Sequence, residues 1–252
     1  MTSRISPAGL APAQAPRGSG RRIRGAVLQA LGRAVLAGDY RPGEILPGEV
    51  AHASELGVSR GAYREAVQAL IAKGLVESKP KTGTRILPRG RWNMLDPDVL
   101  AWAFSGTPDM RLLRSLFELR AVIEPFAARL AAERRTDEDL AIMDAALLDM
   151  DRLTLADEQG LAADRRFHET ILTASDNDAL IALSSGIAAG VEWSTRFKQR
   201  KRALPRDPVP EHRLVYEAIR AADGETASER MKTLVQKALD DTWFGMGGGA
   251  IL

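Results

Sequence analysis

The fold is decided by residues 48–74, GEVAHASELGVSRGAYREAVQALIAKG. The pattern predicts a short helix from Gly48 to Leu56 and, after a tight turn, a second helix over Arg60–Ala72 with Ser59 as its natural N-cap. The second helix carries apolar side chains on one face: Ala66, Val67, Leu70 and Ile71. Two short helices joined by a tight turn that contains glycine predict a helix-turn-helix.

The segments on either side extend this motif into a domain. Apolar residues recur at helical spacing over residues 22–36, which predicts a preceding helix. After the motif, two short apolar segments at 75–78 and 85–87 flank a turn rich in Lys, Pro and Gly at 79–84. This pattern predicts a β-hairpin with a basic tip. We therefore expect a winged helix-turn-helix domain over residues 21–88.

The rest of the chain is predicted to be helical. Residues 1–20 are rich in Pro, Ala, Gly and Ser and are predicted to form a disordered tail. Residues 89–107 are predicted to be a linker with a linking helix. Residues 108–247 show helical patterns interrupted by turn residues, which predicts an antiparallel bundle of six to seven helices for effector binding and dimerisation. The fold class is therefore mainly α.

The charge is unevenly distributed along the 252 residues, although the net charge is only +2. Up to Arg91 there are 15 Lys and Arg against 6 Asp and Glu, a balance of +9, so the remainder carries −7. A basic N-terminal third favours a polyanionic partner. The absence of cysteine excludes disulfides, thiolate metal sites and a Cys nucleophile, and is compatible with the predicted cytoplasmic location. The sequence predicts no membrane span.

The predicted second helix and Ser59 at its start carry residues that are expected to bind DNA. Arg60 and Arg64 lie four residues apart, so both guanidinium groups share one face, and Arg suits bidentate contact with guanine in the major groove. The predicted wing adds residues that can reach phosphates or the minor groove: Lys79, Lys81, Thr82, Gly83 and Arg85. The alternative, a solvated basic face, explains neither the Ser59 cap nor the basic hairpin. We therefore predict double-stranded DNA as a partner.

Two of the three histidines receive an interpretation from their local sequence. His52 lies in the predicted short helix and is interpreted as an ordinary surface residue or one that faces the phosphates. Asp164 and His168 have the i, i+4 spacing that points two metal ligands in the same direction. The same spacing also fits a simple hydrogen bond between Asp164 and His168 inside a bundle. The residues alone leave both alternatives open.

Several motifs together resemble a known family. The segments 46–49 (LPGE), 57–60 (GVSR), 64–67 (REAV) and 81–84 (KTGT) are similar to the GntR-type winged-helix signature. Further segments resemble the all-helical FCD effector domain of the FadR subfamily, namely 118–120 (ELR), 123–125 (IEP), 128–132 (ARLAA) and 167–168 (FH). The segment 91–100, RWNMLDPDVL, is similar to the sugar-acid regulators of that subfamily, the galactonate-responsive ones especially.

This resemblance implies roles for particular residues. It implies that Arg60 and Arg64 read operator bases and that Gly83 lies at the wing tip. Where many members have Arg after the Leu-Pro-x-Glu motif, this chain has Val50, so we expect that DNA contact to be missing.

The resemblance also implies a divalent metal, such as zinc, held by an Asp, a His four residues later and two more His. Asp164, His168 and His212 match the first three, but Leu234 stands where the third His is expected and cannot be a ligand. Two His and one carboxylate still suffice for a divalent ion, because water or effector oxygens can complete its coordination shell. In the alternative, the site is metal-free and the same polar groups bind the effector directly.

Two places are predicted to contact a small carboxylate or sugar-acid effector. Arg120 lies on a strongly amphipathic helix, and the alternative for it is a surface salt bridge with Glu124. Trp193 and Arg196 lie beside Ser and Thr, so the indole can stack on a sugar ring while its neighbours bind hydroxyl groups. Alternatively, Trp193 and Phe197 are core or dimer contacts.

The leading functional prediction is a homodimeric transcriptional regulator, a repressor that a small carboxylate releases from a palindromic operator. Two alternatives belong to other classes. One is a metal-dependent enzyme that uses two His and one carboxylate, and the other is an architectural DNA-binding protein without a sensor. No nucleophile motif, phosphate-binding glycine loop or paired acid and base supports an enzyme, so none is predicted.

Overall fold

The structure, a computed structural model, describes residues 20–106, 109–199 and 206–244. These residues are mainly α-helical with a single two-stranded sheet, and the chain divides into two compact units between Gly106 and Thr107. The predicted fold class, a winged helix-turn-helix followed by a helical bundle, is confirmed. The predicted disordered tail lies, except for Gly20, outside the described residues.

The first unit contains the predicted helices and hairpin in the predicted order. Its elements are α1 (Gly20–Ala37), α2 (Glu49–Glu55), α3 (Arg60–Ala72), β1 (Val76–Lys79), β2 (Gly83–Ile86), a 3-10 turn (Arg89–Arg91) and α4 (Pro97–Ala103). Ser59 caps α3, because its Oγ accepts a hydrogen bond from Ala62 N at 3.2 Å. Gly57 adopts a φ of +65°, which permits the tight turn between α2 and α3.

Strand β2 of the wing forms backbone hydrogen bonds on both of its edges. On one edge β2 pairs antiparallel with β1, with Val76 opposite Ile86. On the other edge, Leu46 N donates to Thr84 O at 2.8 Å and Ile86 N donates to Glu44 O at 2.9 Å. The segment before α2 therefore pairs with the outer edge of β2 through backbone hydrogen bonds. These bonds hold the hairpin beside the helix-turn-helix.

The predicted linker contributes to the core of the first unit. Val99 and Trp102 of α4 are buried in the same apolar cluster as Leu70 of α3. The indole of Trp102 approaches Gly32 of α1 so closely that a Cβ at Gly32 would lie 2.3 Å from the ring. Lys73 Nζ also donates to Asp96 Oδ1 at 2.8 Å. Residues 89–106 are therefore packed structure.

The second unit contains six helices within its described residues. They are α5 (Met110–Arg134), α6 (Asp137–Leu153), α7 (Glu158–Ala174), α8 (Asp178–Gln199), α9 (Val209–Arg220) and α10 (Gly224–Phe244). The break between α6 and α7 contains neither glycine nor proline. Thr154 ends α6 with a φ of +60°, and the side chain of Asp157 begins α7 by accepting from Gln159 N at 2.7 Å. No helix within the described ranges is long and apolar enough to cross a membrane.

The start of α7 depends on one glycine. Gly160 is buried in the first turn of α7, and a Cβ there would lie 1.8 Å from the carbonyl oxygen of Thr154. This distance is far inside van der Waals contact, so only glycine fits unless the backbone moves. The close approach fixes the position of α7, the helix that carries Asp164 and His168.

We therefore expect Gly160→Ala to destabilise the second unit by about 2 kcal/mol or more, since the added methyl group meets backbone. The measurement is chemical denaturation of the full chain followed by circular dichroism. Gly190→Ala is the matched control, because a Cβ at Gly190 in α8 would lie 3.6 Å from Leu116 at ordinary contact distance. Equal stability of the two variants would contradict the close approach.

Candidate functional site

Helix α3, the second helix of the helix-turn-helix and hence its recognition helix, presents its two arginines to solvent and its apolar residues to the core. Arg60 is exposed, and the side chain of Arg64 is 73% exposed. Tyr63 and Ala66 on the other face of α3 are buried. This division leaves both guanidinium groups accessible to a groove of DNA while the opposite face holds the helix in place.

Arg64 has a partner within the protein. Its Nε lies 3.0 Å from Glu49 Oε2 in the first turn of α2. A contact through Nε leaves the two terminal guanidinium nitrogens available for a base. Sequence reasoning did not assign this role to Glu49. Val50, at the position of the missing arginine, is 64% exposed and offers no hydrogen bond from its side chain.

The wing places its predicted residues at an exposed hairpin tip. Lys81 adopts a φ of +67° and Gly83 a φ of +88°, so the turn between the strands is tight. All five of the predicted wing residues are exposed, namely Lys79, Lys81, Thr82, Gly83 and Arg85. Lys79 Nζ lies 3.1 Å from Glu77 Oε1, a surface contact of little energetic weight. The tip thus carries accessible cations suited to phosphate contact.

The prediction that His52 is a surface or phosphate-side residue is wrong. His52 is only 2% exposed, and its two ring nitrogens lie 3.3 Å from the Tyr40 hydroxyl and 3.1 Å from the Tyr63 hydroxyl. Burial lowers the pKa of His52, although the charge of Glu55 opposes this shift. Burial also raises the pKa of Tyr63 to about 12. His52 therefore joins α2 to the recognition helix as a buried polar contact, because both tyrosines supply hydroxyl partners.

The second unit brings the three predicted metal ligands together. Asp164 and His168 come from α7 and His212 from α9, and all three are buried. His212 Nε2 lies 3.0 Å from Asp164 Oδ1 and 3.3 Å from His168 Nε2. His168 Nε2 lies 3.6 Å from the same carboxylate oxygen. Three ligand atoms within 4.8 Å of one another can surround one ion.

The outer nitrogens of the two imidazoles are held by acceptors. His212 Nδ1 lies 2.7 Å from Pro208 O, and a carbonyl oxygen can only accept, so this nitrogen carries a proton. His168 Nδ1 lies 2.6 Å from Glu124 Oε2, so a carboxylate oxygen faces this nitrogen. The Nε2 atoms of both imidazoles therefore face Asp164. Two imidazole nitrogens and a carboxylate oxygen that converge in this way can bind a cation.

The buried carboxylates are held in their charged form. Burial alone would raise the pKa of Asp164, but the hydrogen bond from His212 and the charges of His212, His168 and Arg120 outweigh it and lower the pKa to about 2. Burial would likewise raise the pKa of Glu124, but the charges of Arg120 and His168 outweigh it and lower this pKa to about 2. Both groups are therefore anions at neutral pH and can serve as a ligand and as an acceptor for a ligand.

The residues present fit a metal with an open coordination position. A histidine that binds metal through Nε2 and donates Nδ1–H to a carboxylate or carbonyl is the usual arrangement in metal proteins. His212 hydrogen-bonds through Nδ1 to a carbonyl, His168 places Nδ1 beside a carboxylate, and both direct Nε2 towards Asp164. Leu234 is 2% exposed and lines the same cavity, so the fourth protein ligand expected from the resemblance is replaced by an apolar wall.

The predicted effector residues separate into two groups. Arg120 lines the cavity, and its Nε lies 2.5 Å from Glu124 Oε1. The two side chains are 3% and 1% exposed, so the alternative of a surface salt bridge is wrong. The structure does not place Trp193 and Arg196 among the cavity's lining residues.

Arg196 instead pairs with two carboxylates. It contacts Glu158 across from α7 and lies 2.9 Å from Glu192, one helical turn earlier. The hydrogen bond to Glu158 outweighs burial and raises the pKa of Arg196. Its guanidinium group lies 5.5 Å from the centre of the Trp193 ring. The alternative that Trp193 and Phe197 are core or dimer contacts involves Phe197, whose side chain lies outside the described residues.

The cavity beside the three ligands is small and polar on one side. Its volume is about 30 Å³, room for roughly two water molecules. Sequence reasoning missed Arg206, which lines the cavity, donates to Glu211 Oε2 at 2.8 Å and leaves a buried Nη2 without a hydrogen-bond partner. It also missed the role of Glu124. The i, i+4 spacing from Arg120 signalled that contact, but nothing signalled its burial.

These features define a class of protein: a transcriptional regulator with a winged helix-turn-helix for DNA and a helical unit that holds a buried polar cluster. Residues 23–86 match the model of the bacterial regulatory proteins of the gntR family, and residues 115–237 match the FCD domain. The chain belongs to the GntR family and carries an FCD domain. It is a DNA-binding regulator and not an enzyme.

Curated relatives share most of this length. The chain is 35% identical over 207 residues to the galactonate operon transcriptional repressor of Escherichia coli K12, covering 81% of this chain and 90% of the relative. It is 32% identical over 199 residues to the regulator LutR of Bacillus subtilis 168, covering 77% and 89%. Among solved structures, one of Lar, which controls the Listeria monocytogenes agr system, has a TM-score of 0.62 at 20% identity, with 88% and 97% covered, and supports the fold alone.

We expect Glu124→Gln to weaken both stability and metal binding. The change leaves Arg120 as a buried cation without its carboxylate, at a cost of about 3–5 kcal/mol. It also removes the anion that orients His168, for which about a 10- to 100-fold loss of metal affinity is expected. Thermal unfolding and competitive zinc titration measure the two effects. Glu229→Gln, an exposed change on α10, is the control and should alter neither quantity.

Proposed function

We propose that this regulator is a homodimer that binds a palindromic operator and leaves it when a small carboxylate, such as a sugar acid, enters the second unit. The observation that carries the proposal is the buried group of Asp164, His168 and His212 beside Arg120. A purely structural bundle core has no need of this costly convergence of charge. The galactonate repressor's name supports the sugar-acid class, since that relative is 35% identical.

The DNA-binding role is assigned to the exposed cations of the first unit. Arg60 and Arg64 read base edges from α3, and the wing residues Lys79, Lys81 and Arg85 contact phosphates. Ser59 contributes through its cap, which orients α3, while Thr82 and Gly83 form the tip that approaches the DNA backbone. A symmetric dimer presents two such helices to the two half-sites.

The effector role is assigned to the cavity of the second unit. Asp164, His168 and His212 would hold a divalent metal, and the metal would supply a Lewis-acidic position for a carboxylate. Arg120 and Arg206 supply positive charge to the same cavity, and the free Nη2 of Arg206 is an available donor. Trp193 and Arg196 take part only if the effector reaches beyond the lining residues. Binding shifts the population towards a dimer geometry that no longer matches the operator.

Arg64→Ala is expected to abolish specific operator binding. The change removes from each half-site a base contact worth about 1–3 kcal/mol of discrimination, and it also weakens the electrostatic attraction to DNA. The measurement is titration of operator and of scrambled DNA by fluorescence anisotropy. Arg33→Ala, an exposed arginine on α1, is the matched control. If Arg64→Ala kept the operator affinity of the wild type, the assignment of α3 to the major groove would be wrong.

Metal content tests the assignment of the second unit. Protein purified without a histidine tag is expected to contain about one divalent ion per chain, and Asp164→Asn is expected to lose it, because the carboxylate is one of only three ligands. Sugar acids are then screened by thermal shift with and without added metal, and the hits are tested for release of the operator. A metal-free protein that still responds to the effector would refute the metal. A chain that responds to no aldonate or uronate would instead be an architectural DNA binder.

A further inference from the structure

The outer face of α5 exposes two large apolar side chains at its centre. Val122 is 70% exposed and Phe126, one helical turn later, is 48% exposed. Adjacent exposed apolar residues on one helix mark a surface that is stabilised when another surface covers it. By comparison, the described residues of α9 include one large exposed apolar side chain, that of Leu214, which is 42% exposed.

Charged residues flank this apolar centre in a particular order. Arg114 and Glu118 precede it and Arg129 and Glu133 follow it, with side chains 63%, 66%, 49% and 48% exposed. The order from the N-terminus is therefore positive, negative, apolar, positive, negative. The two outer residues are equally distant in sequence from the midpoint between residues 123 and 124, and so are the two inner ones.

This order complements itself when the helix is reversed. An antiparallel second copy of α5 places Arg114 opposite Glu133 and Glu118 opposite Arg129. The apolar residues of the two copies then meet at the centre. A parallel copy in register places each charge opposite its own kind, which is repulsive. The pattern therefore selects one orientation.

We propose that the outer face of α5, defined by Arg114, Glu118, Val122, Phe126, Arg129 and Glu133, binds a second copy of this chain antiparallel across a twofold axis near residues 123 and 124. The inference rests on the proposed homodimer and says which surface forms it. A self-complementary patch is what a twofold interface requires, because each surface residue meets its partner residue twice.

The contacts within one chain do not compete strongly with this arrangement. Arg114 Nε lies 3.3 Å from Glu118 Oε1, and Arg129 Nε lies 3.5 Å from Glu133 Oε1, both as exposed pairs one helical turn apart. Arg129 also lies 3.5 Å from Glu225 of α10. Exposed pairs of this kind contribute little, so their side chains can also contact a neighbouring copy at small cost.

The position of α5 links this face to the buried cluster. Arg120 and Glu124 lie on the inner face of the same helix, where Glu124 Oε2 lies 2.6 Å from His168 Nδ1. A shift of α5 caused by an occupied cavity therefore reaches the outer face through one rigid element. This gives the proposed effector a direct route to the dimer geometry.

Charge reversal is the first test, made on the full chain by analytical ultracentrifugation. Glu118→Arg alone and Arg129→Glu alone should each raise the dimer dissociation constant about tenfold, because each creates two like-charge contacts. The double variant Glu118→Arg, Arg129→Glu should restore the dissociation constant of the wild type, since the pairs form again with exchanged signs. Arg152→Glu, an exposed reversal on α6, is the control. Circular dichroism verifies that each variant keeps its helices.

Cross-linking is the second test, and the cysteine-free chain makes it simple. Val122→Cys should form dimers with a short bis-maleimide reagent, whereas Leu148→Cys, 57% exposed on α6, should not. This interface would be wrong if the single reversals left the dimer dissociation constant unchanged and Val122→Cys formed no cross-link. The proposed homodimer would stand in that case. A monomeric wild-type chain that still binds single operator half-sites would overturn both the interface and the proposed homodimer.

Discussion

The arrangement of the second unit depends on the orientation of two buried imidazole rings. Glu124 and the carbonyl of Pro208 each bind the outer nitrogen of one ring, so both inner nitrogens face Asp164. These contacts join α5, α7 and α9 at a cluster of buried polar side chains. The polar cluster is therefore a structural constraint on the bundle as well as a candidate binding site.

The fold of the first unit follows from local signals that the sequence carries openly. A serine before Arg60 and a glycine at position 57 mark the boundaries of two short helices, and the hairpin has its own turn residues. The burial of His52 could not be predicted in this way. Its hydroxyl partners, Tyr40 and Tyr63, come from two other elements, and the positions of those elements become known only when the helices pack.

The candidate site shows the same division between local and tertiary information. Asp164 and His168 lie one helical turn apart, so helical periodicity alone brings them together, and His212 came from the family resemblance. The position of Arg206 in the cavity wall and the burial of the Arg120–Glu124 pair depend on how separate helices meet. Trp193 and Arg196 had suitable chemistry, yet the helix they share directs them elsewhere.

The break between α6 and α7 illustrates a further reason why sequence signals fail. Neither glycine nor proline interrupts residues 153–157; the turn instead uses a threonine with positive φ and an aspartate cap. A non-glycine residue in that conformation is uncommon, and the surrounding packing must support it. The glycine that permits the turn is Gly160, inside the next helix, where it makes room for the Thr154 carbonyl.

The volume of the cavity has a consequence for how tightly any organic ligand is held. At about 30 Å³ it is far smaller than the roughly 300–1,000 Å³ of ordinary small-molecule sites. An organic ligand of ordinary size would therefore enter only chains in which the helices have separated, and its apparent dissociation constant would equal the intrinsic value divided by the open fraction. A substitution that loosens the bundle would raise that fraction and tighten binding without touching the ligand, so sensitivity to the ligand is set as much by the packing of the closed form as by the chemistry of its walls.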